Sequence, residues 1–390
     1  MLGAIIGDVA GSYYEVLEVK AIRESSLKRR SYEDRIKILD KSIPLFTENS
    51  SYTDDTVLTV AIMDSLLKDK DYEYYLRKYG KDEIELGKDK YGRSRFGKGF
   101  ISWLNNESVG NSFGNGASMR VSPIGFYYDR MENVMNEASA SSKPSHDTNE
   151  ARIGACAVAS AINLARRGRT KEEIKEYIEC IYAYDLNFDL ETLQREYTFK
   201  SNTRDSVPVA IYAFLCSDSF EDAIRKSLSI GGDSDTIAAI AGSISEAFYG
   251  IPIEIKNEVM SYIPTKYKKV IFDFYTEIDF RNELKKLGIY SDEMFEFLRG
   301  KIHRYAFLED DMPWGVFPKV DSEGILRDIR VLVPEIVDTK TFLINIHEFT
   351  HAYELFNELG SVYLEDKENR ELRARDNEKL ILKLGGKYNG

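Results

Sequence analysis

Histidine, cysteine and tryptophan are scarce in this chain of 390 residues, with four, three and two copies. The cysteines, Cys156, Cys180 and Cys216, are odd in number, widely spaced and free of any C-x-x-C pattern. That argues against a disulfide framework and fits a reducing compartment. No apolar run reaches the roughly 18–20 residues that span a bilayer. The first residues, Met-Leu-Gly-Ala-Ile-Ile-Gly-Asp, lack a basic region and carry an acid at position 8, so a signal peptide is not expected. Positive charge is in deficit: 65 acidic against 53 basic residues leave a net charge of -12, which disfavours a nucleic-acid partner. The short basic run Lys28-Arg29-Arg30 reads as a solvated surface turn rather than an anion site. A cytoplasmic protein without a membrane partner is expected, and its oligomeric state is not legible.

What is present is enough apolar residue, 43% of the chain, for one large core and a second, smaller unit. From residue 1 to about 280, long apolar segments are separated by Gly, Asn, Ser and Pro clusters without sustained period-two alternation, which predicts an all-α domain. Two segments rich in small residues, Ala151 to Ala165 and Ile237 to Ala247, suit central helices whose axes approach closely. Beyond residue 282 the character changes. A polar helical stretch, Asn282 to Arg304, acts as a linker; Ile325 to Val333 alternates as a strand would; Thr339 to Leu359 and Lys367 to Leu384 read as helices. The expected division is an all-helical domain over 1–282 and a small α+β domain over 283–390.

Two acidic clusters stand immediately before apolar helices: Ser51-Tyr52-Thr53-Asp54-Asp55-Thr56 and Gly231-Gly232-Asp233-Ser234-Asp235-Thr236. Capping explains one oxygen acceptor at each helix N-terminus. It does not explain two carboxylates and a flanking hydroxyl, because like charges this close cost free energy unless neutralised. A hard divalent cation is the natural counter-charge, and Mg²⁺ or Mn²⁺ prefers such oxygen ligands. The Gly-Gly before Asp233 permits an unusual turn.

Four separated motifs then occur in order: Gly3-Ala4-Ile5-Ile6-Gly7-Asp8-Val9-Ala10-Gly11 with Glu15 after it; Thr53-Asp54-Asp55-Thr56; Gly114-Asn115-Gly116-Ala117-Ser118-Met119-Arg120 followed by Pro123; and Gly232-Asp233-Ser234-Asp235-Thr236. A looser fifth is Ser145-His146 with Glu150 and Ala151. In these, residues 1 to about 280 resemble the ADP-ribosylglycohydrolase family. The resemblance implies an all-α ADP-ribosylglycohydrolase-like fold with two Mg²⁺ or Mn²⁺ ions held by Thr53, Asp54, Asp55, Asp233, Asp235 and Thr236. It also implies that Glu15 lies near the scissile bond, and that Gly114, Asn115, Gly116, Met119 and His146 line the ribose and diphosphate. The alternatives are a tight turn for the glycine loop and a capping or packing role for His146. Cleavage at the ribose anomeric carbon develops oxocarbenium-like charge, which carboxylates stabilise while one handles the proton of the attacking water; Asp54 and Glu15 are the candidates. Backbone N–H groups of Gly114 and Gly116 can serve a diphosphate.

Two of the four histidines form His347-Glu348-Phe349-Thr350-His351. On a helix, positions i and i+4 share a face, so both imidazoles can reach one Zn²⁺ while Glu348 polarises its water. This segment resembles a minimal zincin metallopeptidase, with Glu371 the choice of third ligand and Glu368 and Glu378 as alternatives. The bland reading is an amphipathic helix with surface histidines. The expected activity is release of ADP-ribose from an ADP-ribosylated protein or a small ADP-ribose derivative. The alternatives are a zinc peptidase delivered by a binding domain, and an ADP-ribose-binding module without turnover. Acceptor choice is expected in the segments Val16 to Ser51 and Tyr182 to Ser206.

Overall fold

Glycine spacing decides how the first unit is built. On the first helix, Leu2–Glu24, Gly3, Gly7 and Gly11 recur every four residues and so share one face. That face lies against the helix Ser234–Tyr249 at backbone contact: a Cβ on Gly3 would collide with the Gly242 carbonyl, one on Gly7 with the Ala238 carbonyl, and one on Gly11 with the Asp235 backbone. The facing stretches of both helices are enclosed. Every residue from Leu2 to Ser12 and from Ser234 to Ser245 is buried.

The computed structural model describes residues 1–286 apart from 25, 27, 28, 90, 91 and 93, and the segments 302–307, 315–320 and 326–334. Two units are distinguished, residues 1–274 and 275–390, and each is described by itself. In the first, the helix Ser234–Tyr249 is also contacted by Asn149–Arg166, Thr203–Leu215 and Phe220–Ile230. Ala151, Ala155, Ala157, Ala159 and Ala161 are fully buried, so the expected small-residue core helices are core helices. Around them Ile5, Ile6, Val60, Ile62, Ile162, Phe214 and Phe274 are removed from water, each contributing about 1.5–3 kcal/mol of transfer free energy. Among the described residues of this unit the only extended pairings are the isolated bridges Asn111–His146 and Gly114–Asn202, so the helical expectation holds. No helix among the described residues is long and apolar enough to cross a membrane.

The solvated-turn reading of Lys28-Arg29-Arg30 is corrected at Arg30, which is buried. Its Nε donates to Glu18 Oε2 at 3.0 Å and its Nη2 to the Leu228 carbonyl at 3.1 Å. Glu18 is fully buried on the first helix and also pairs with the fully buried Arg35. A carboxylate placed there needs cations brought to it, and the basic run supplies one.

In the second unit, β1 (Ile302–Phe307), β2 (Gly315–Val320) and β3 (Leu326–Pro334) form a sheet in the order β1-β3-β2. β1 runs parallel to β3 and β2 antiparallel to it. The strand expected over Ile325 to Val333 is β3. The linker helix expected to reach Arg304 is corrected at its end, where Ile302–Phe307 is strand, as its branched and aromatic residues favour. His347, Glu348, His351 and Glu371, and with them the zincin-like site, lie outside the described residues.

Candidate metal centre and cleft

Asp8 organises the first acidic cluster. It is fully buried on the first helix and accepts from Thr53 N at 2.9 Å, Thr53 Oγ1 at 2.7 Å, Thr56 N at 3.0 Å and Thr56 Oγ1. Both ends of the Thr53–Thr56 turn are thereby tied to the first helix. Thr53 caps the helix Asp54–Leu67 by accepting from Asp55 N at 3.3 Å, which leaves the two carboxylates free of capping work. At the second cluster Asp233 stands at the N-cap position of Ser234–Tyr249 and makes no side-chain capping bond. N-capping therefore accounts for Thr53 and not for Asp54, Asp55 or Asp233, while Asp235 Oδ1 accepts from the first-turn Thr236 N at 2.9 Å.

The second turn is shaped by Gly231 and Gly232, with φ of 80° and 73°, the left-handed region that the Gly-Gly pair permits. The guanidinium of Arg35 occupies the space where a Gly231 side chain would stand. Across the turn, Asn115 Nδ2 donates to Asp233 Oδ2 at 2.7 Å and to Ser206 Oγ at 3.2 Å, fixing the carboxylate's orientation.

The close approach of the two central helices then brings the clusters together, although they lie 181 positions apart at Thr236 and Asp55. Thr236 Oγ1 donates to Asp55 Oδ2 at 3.2 Å. Oxygens of Asp8, Asp55 and Asp235 lie within 4.8 Å of one another, as do those of Glu15, Asp233 and Asp235. Asp55 Oδ1 is buried without a hydrogen-bond partner. Burial, reinforced by Asp8, pushes Asp54 up to about 8. Burial also holds Asp55 and Asp233 well above the usual carboxylate range, with Asp235 the next cause for both; for Asp235, burial is followed by Glu15. So many buried, mutually repelling oxygens, one of them unpartnered, fit hard divalent cations held by oxygen ligands.

These groups open onto a cleft of about 660 Å³, within the range of small-molecule sites. Glu15, Thr53, Asp54, Asp55, Asp233, Asp235 and Thr236 border it, and so do Gly114, Asn115, Gly116, Met119 and His146. Every site residue expected in the first domain therefore meets in one cavity. His146 ends the helix Met131–His146 and is buried, with Nδ1 at 2.8 Å from Ser145 Oγ. A Cβ on Gly116 would stand 2.8 Å from its Nε2, so this glycine makes room for the ring. Burial, then the nearby Arg120, lowers the imidazole to about 3 and keeps it neutral. In the glycine loop, Gly114 N–H is already given to Ser112 Oγ at 3.0 Å and Asn115 N–H to the Ser201 carbonyl at 2.9 Å. Gly116 opens the short helix Gly116–Met119, in which the Ser118 and Met119 N–H groups are given to the Asn115 carbonyl at 2.8 and 3.0 Å.

Sequence reasoning missed Asp8 as a site residue. The signal was present, since a lone acid inside an apolar helical run must have buried donors. It also missed the aromatic wall of Phe96, Phe100 and Trp103, in which Phe96 stacks on Phe100 at 5.0 Å and Trp103 meets Phe100 at a tilt at 5.2 Å, and Arg95 beside it. No local pattern marks those residues.

A sequence profile described as ADP-ribosylglycohydrolase matches residues 1–278. Human ADP-ribosylhydrolase ARH3 is 27% identical over 325 residues, covering 64% of this chain and 84% of that protein. An uncharacterized protein of Archaeoglobus fulgidus is 28% identical, over 63% of this chain and 85% of its own length. The ADP-ribosylarginine hydrolase Tri1 of Pseudomonas putida is 22% identical, over 72% and 78% respectively.

Proposed function

The chain belongs to the ADP-ribosylglycohydrolase family, and from that premise we propose that it is a metal-dependent hydrolase cleaving the glycosidic bond at the ribose anomeric carbon of ADP-ribosylated substrates, with release of ADP-ribose. The observation that carries this reading is the convergence of Glu15, Thr53–Asp55 and Asp233–Thr236 on one cleft. In it, Thr53, Asp54, Asp55, Asp233, Asp235 and Thr236 hold two Mg²⁺ or Mn²⁺ ions. Bound there, such ions supply Lewis-acid polarisation of the ribose hydroxyls and of a water.

The chain's own residues do the rest. Asp8 and Asn115 set the orientation of the two clusters by the bonds given above. Asp54 or Glu15 takes the proton of the attacking water, while the surrounding carboxylates stabilise the oxocarbenium-like charge. The neutral His146 and the backbone N–H of Gly116 serve the ribose and diphosphate, and Met119 packs beside Thr236. The test is release of free ADP-ribose with Mg²⁺ or Mn²⁺ and with chelator. Asp54→Asn together with Asp55→Asn should abolish release. Calorimetry showing ADP-ribose binding without any release from wild type would instead support a binding module. Arginine and serine linkages are separated by running the assay on both kinds of ADP-ribosylated peptide.

The His-Glu-x-x-His segment supports a second activity in residues 283–390, a zinc peptidase with His347, His351 and Glu371 as ligands and Glu348 polarising the water. Metal analysis of protein purified without chelator decides it. One zinc per chain, lost in His347→Ala, supports the site, and no zinc removes it.

A further inference from the structure

The cleft is rich in acids, yet one fixed cation borders it. Among the described residues lining it, Arg95 alone carries a guanidinium or ammonium group. It is clamped from behind. Its Nη1 lies 3.3 Å from Glu83 Oε1, and its guanidinium carbon stands 4.8 Å from the centroid of the Tyr52 ring. Glu83 is itself almost fully buried and held by the Tyr52 hydroxyl at 2.8 Å and by the Tyr267 hydroxyl. Tyr52 immediately precedes Thr53, so this clamp abuts the acidic centre.

Glu83 engages only one edge of the guanidinium. Arg95 Nε is buried and without a hydrogen-bond partner, and the side chain is 14% exposed. A guanidinium has five donors in a planar fork that matches carboxylate and phosphate oxygens, and one held rigidly loses little freedom on binding. An arginine serving only to neutralise Glu83 would not need to border the cavity.

We propose that Arg95 is a specificity-determining residue of this cleft, recognising an oxyanion carried by the substrate. This rests on the glycohydrolase reading above, and it places a selectivity determinant outside both Val16 to Ser51 and Tyr182 to Ser206. The oxyanion has two sources: the diphosphate of ADP-ribose itself, or an acidic group on the acceptor beside the scissile bond.

The experiment uses the full chain with Mg²⁺ and compares wild type with Arg95→Gln and Arg95→Lys. Affinity for free ADP-ribose is measured by calorimetry. kcat/KM for ADP-ribose release is measured on two matched ADP-ribosylated peptides, one with acidic and one with neutral residues flanking the modified side chain. If the diphosphate is the partner, Arg95→Gln weakens ADP-ribose binding about tenfold or more and lowers both peptides alike. If the acceptor's acid is the partner, ADP-ribose affinity is unchanged and only the acidic peptide loses about tenfold, with the loss erased at high salt. Arg95→Lys, which keeps the charge and loses the fork, falls between the two and stays informative if the glutamine variant does not fold. All three parameters equal to wild type in both variants, or a lowered melting temperature alone, overturns the proposal. Should wild type bind ADP-ribose and release none, the hydrolase reading fails, and the role of Arg95 is then read from binding alone: affinities for ADP-ribose and for the acidic ADP-ribosylated peptide that are both unchanged in the variants overturn it separately.

Discussion

Titrating the chelated protein with Mg²⁺ while following its unfolding midpoint tests the metal centre without assuming any reaction. Burial holds Asp54 at about 8 and Asp55, Asp233 and Asp235 well above the usual carboxylate range in the cation-free protein. A group whose folded value lies above its unfolded one contributes stability that is complete below the unfolded value and is lost as pH rises through the folded one. The metal-free protein therefore weakens between roughly pH 4 and pH 8. A divalent cation binds the deprotonated oxygens, so its apparent affinity and the stability it adds grow across that same window and level off above it. At free cation a hundredfold over the dissociation constant the gain is about 2.7 kcal/mol. A domain of this size shifts by about 2–4 °C per kcal/mol, so the midpoint should rise by about 5–10 °C at the alkaline end and much less near pH 5. Thermal scans with chelator or Mg²⁺ in steps from pH 5 to about 8.5 measure this, and calorimetry in buffers of different ionisation enthalpy counts the protons released. Equal midpoints with and without cation at every pH, or a shift that shrinks as pH rises, would refute the reasoning.

Three further outcomes follow from particular contacts. Gly7→Ala forces a Cβ into the Ala238 carbonyl, so it should destabilise by about 1–3 kcal/mol in thermal or denaturant unfolding and weaken Mg²⁺ binding as the two helices part. Glu18→Gln strands Arg30 and Arg35 in the interior and should cost about 3–5 kcal/mol, seen as a lowered denaturant midpoint, whereas surface pairs such as Lys37–Asp34 should be nearly silent when broken. Asn115→Ala frees Asp233 from its orienting donor and should reduce Mg²⁺ affinity and kcat by about 10–100-fold, checked by calorimetry and by ADP-ribose release, with little change in overall helicity.

The limits of local reading show at individual residues. Arg30 looked like part of a solvated turn because its neighbours are basic, and it is buried because Glu18, twelve positions away and one helix earlier, has to be neutralised. Asn115 is expected to line the substrate together with the glycines, and it borders the cleft, where its Nδ2 also donates to Asp233 and Ser206. Gly114 was offered as a backbone donor, and its N–H is already given to Ser112. Each depends on a partner that sequence spacing does not name.

By itself the sequence determined the helical class of the first unit, the two helix starts at Thr53 and Asp233, and the surplus of carboxylates that capping could not absorb. All of these are local, written in periodicity and in the chemistry of a few adjacent residues. Tertiary structure decided which oxygens share a site. The stripe of Gly3, Gly7 and Gly11 lets two backbones touch, and only that contact carries Asp8 to the Thr53–Thr56 turn and sets Asp235 beside Asp55. Electrostatic and hydrogen-bond energies fall off over a few ångströms, so whether an acid is a cap, an anchor or a ligand is settled by what the fold places within that reach.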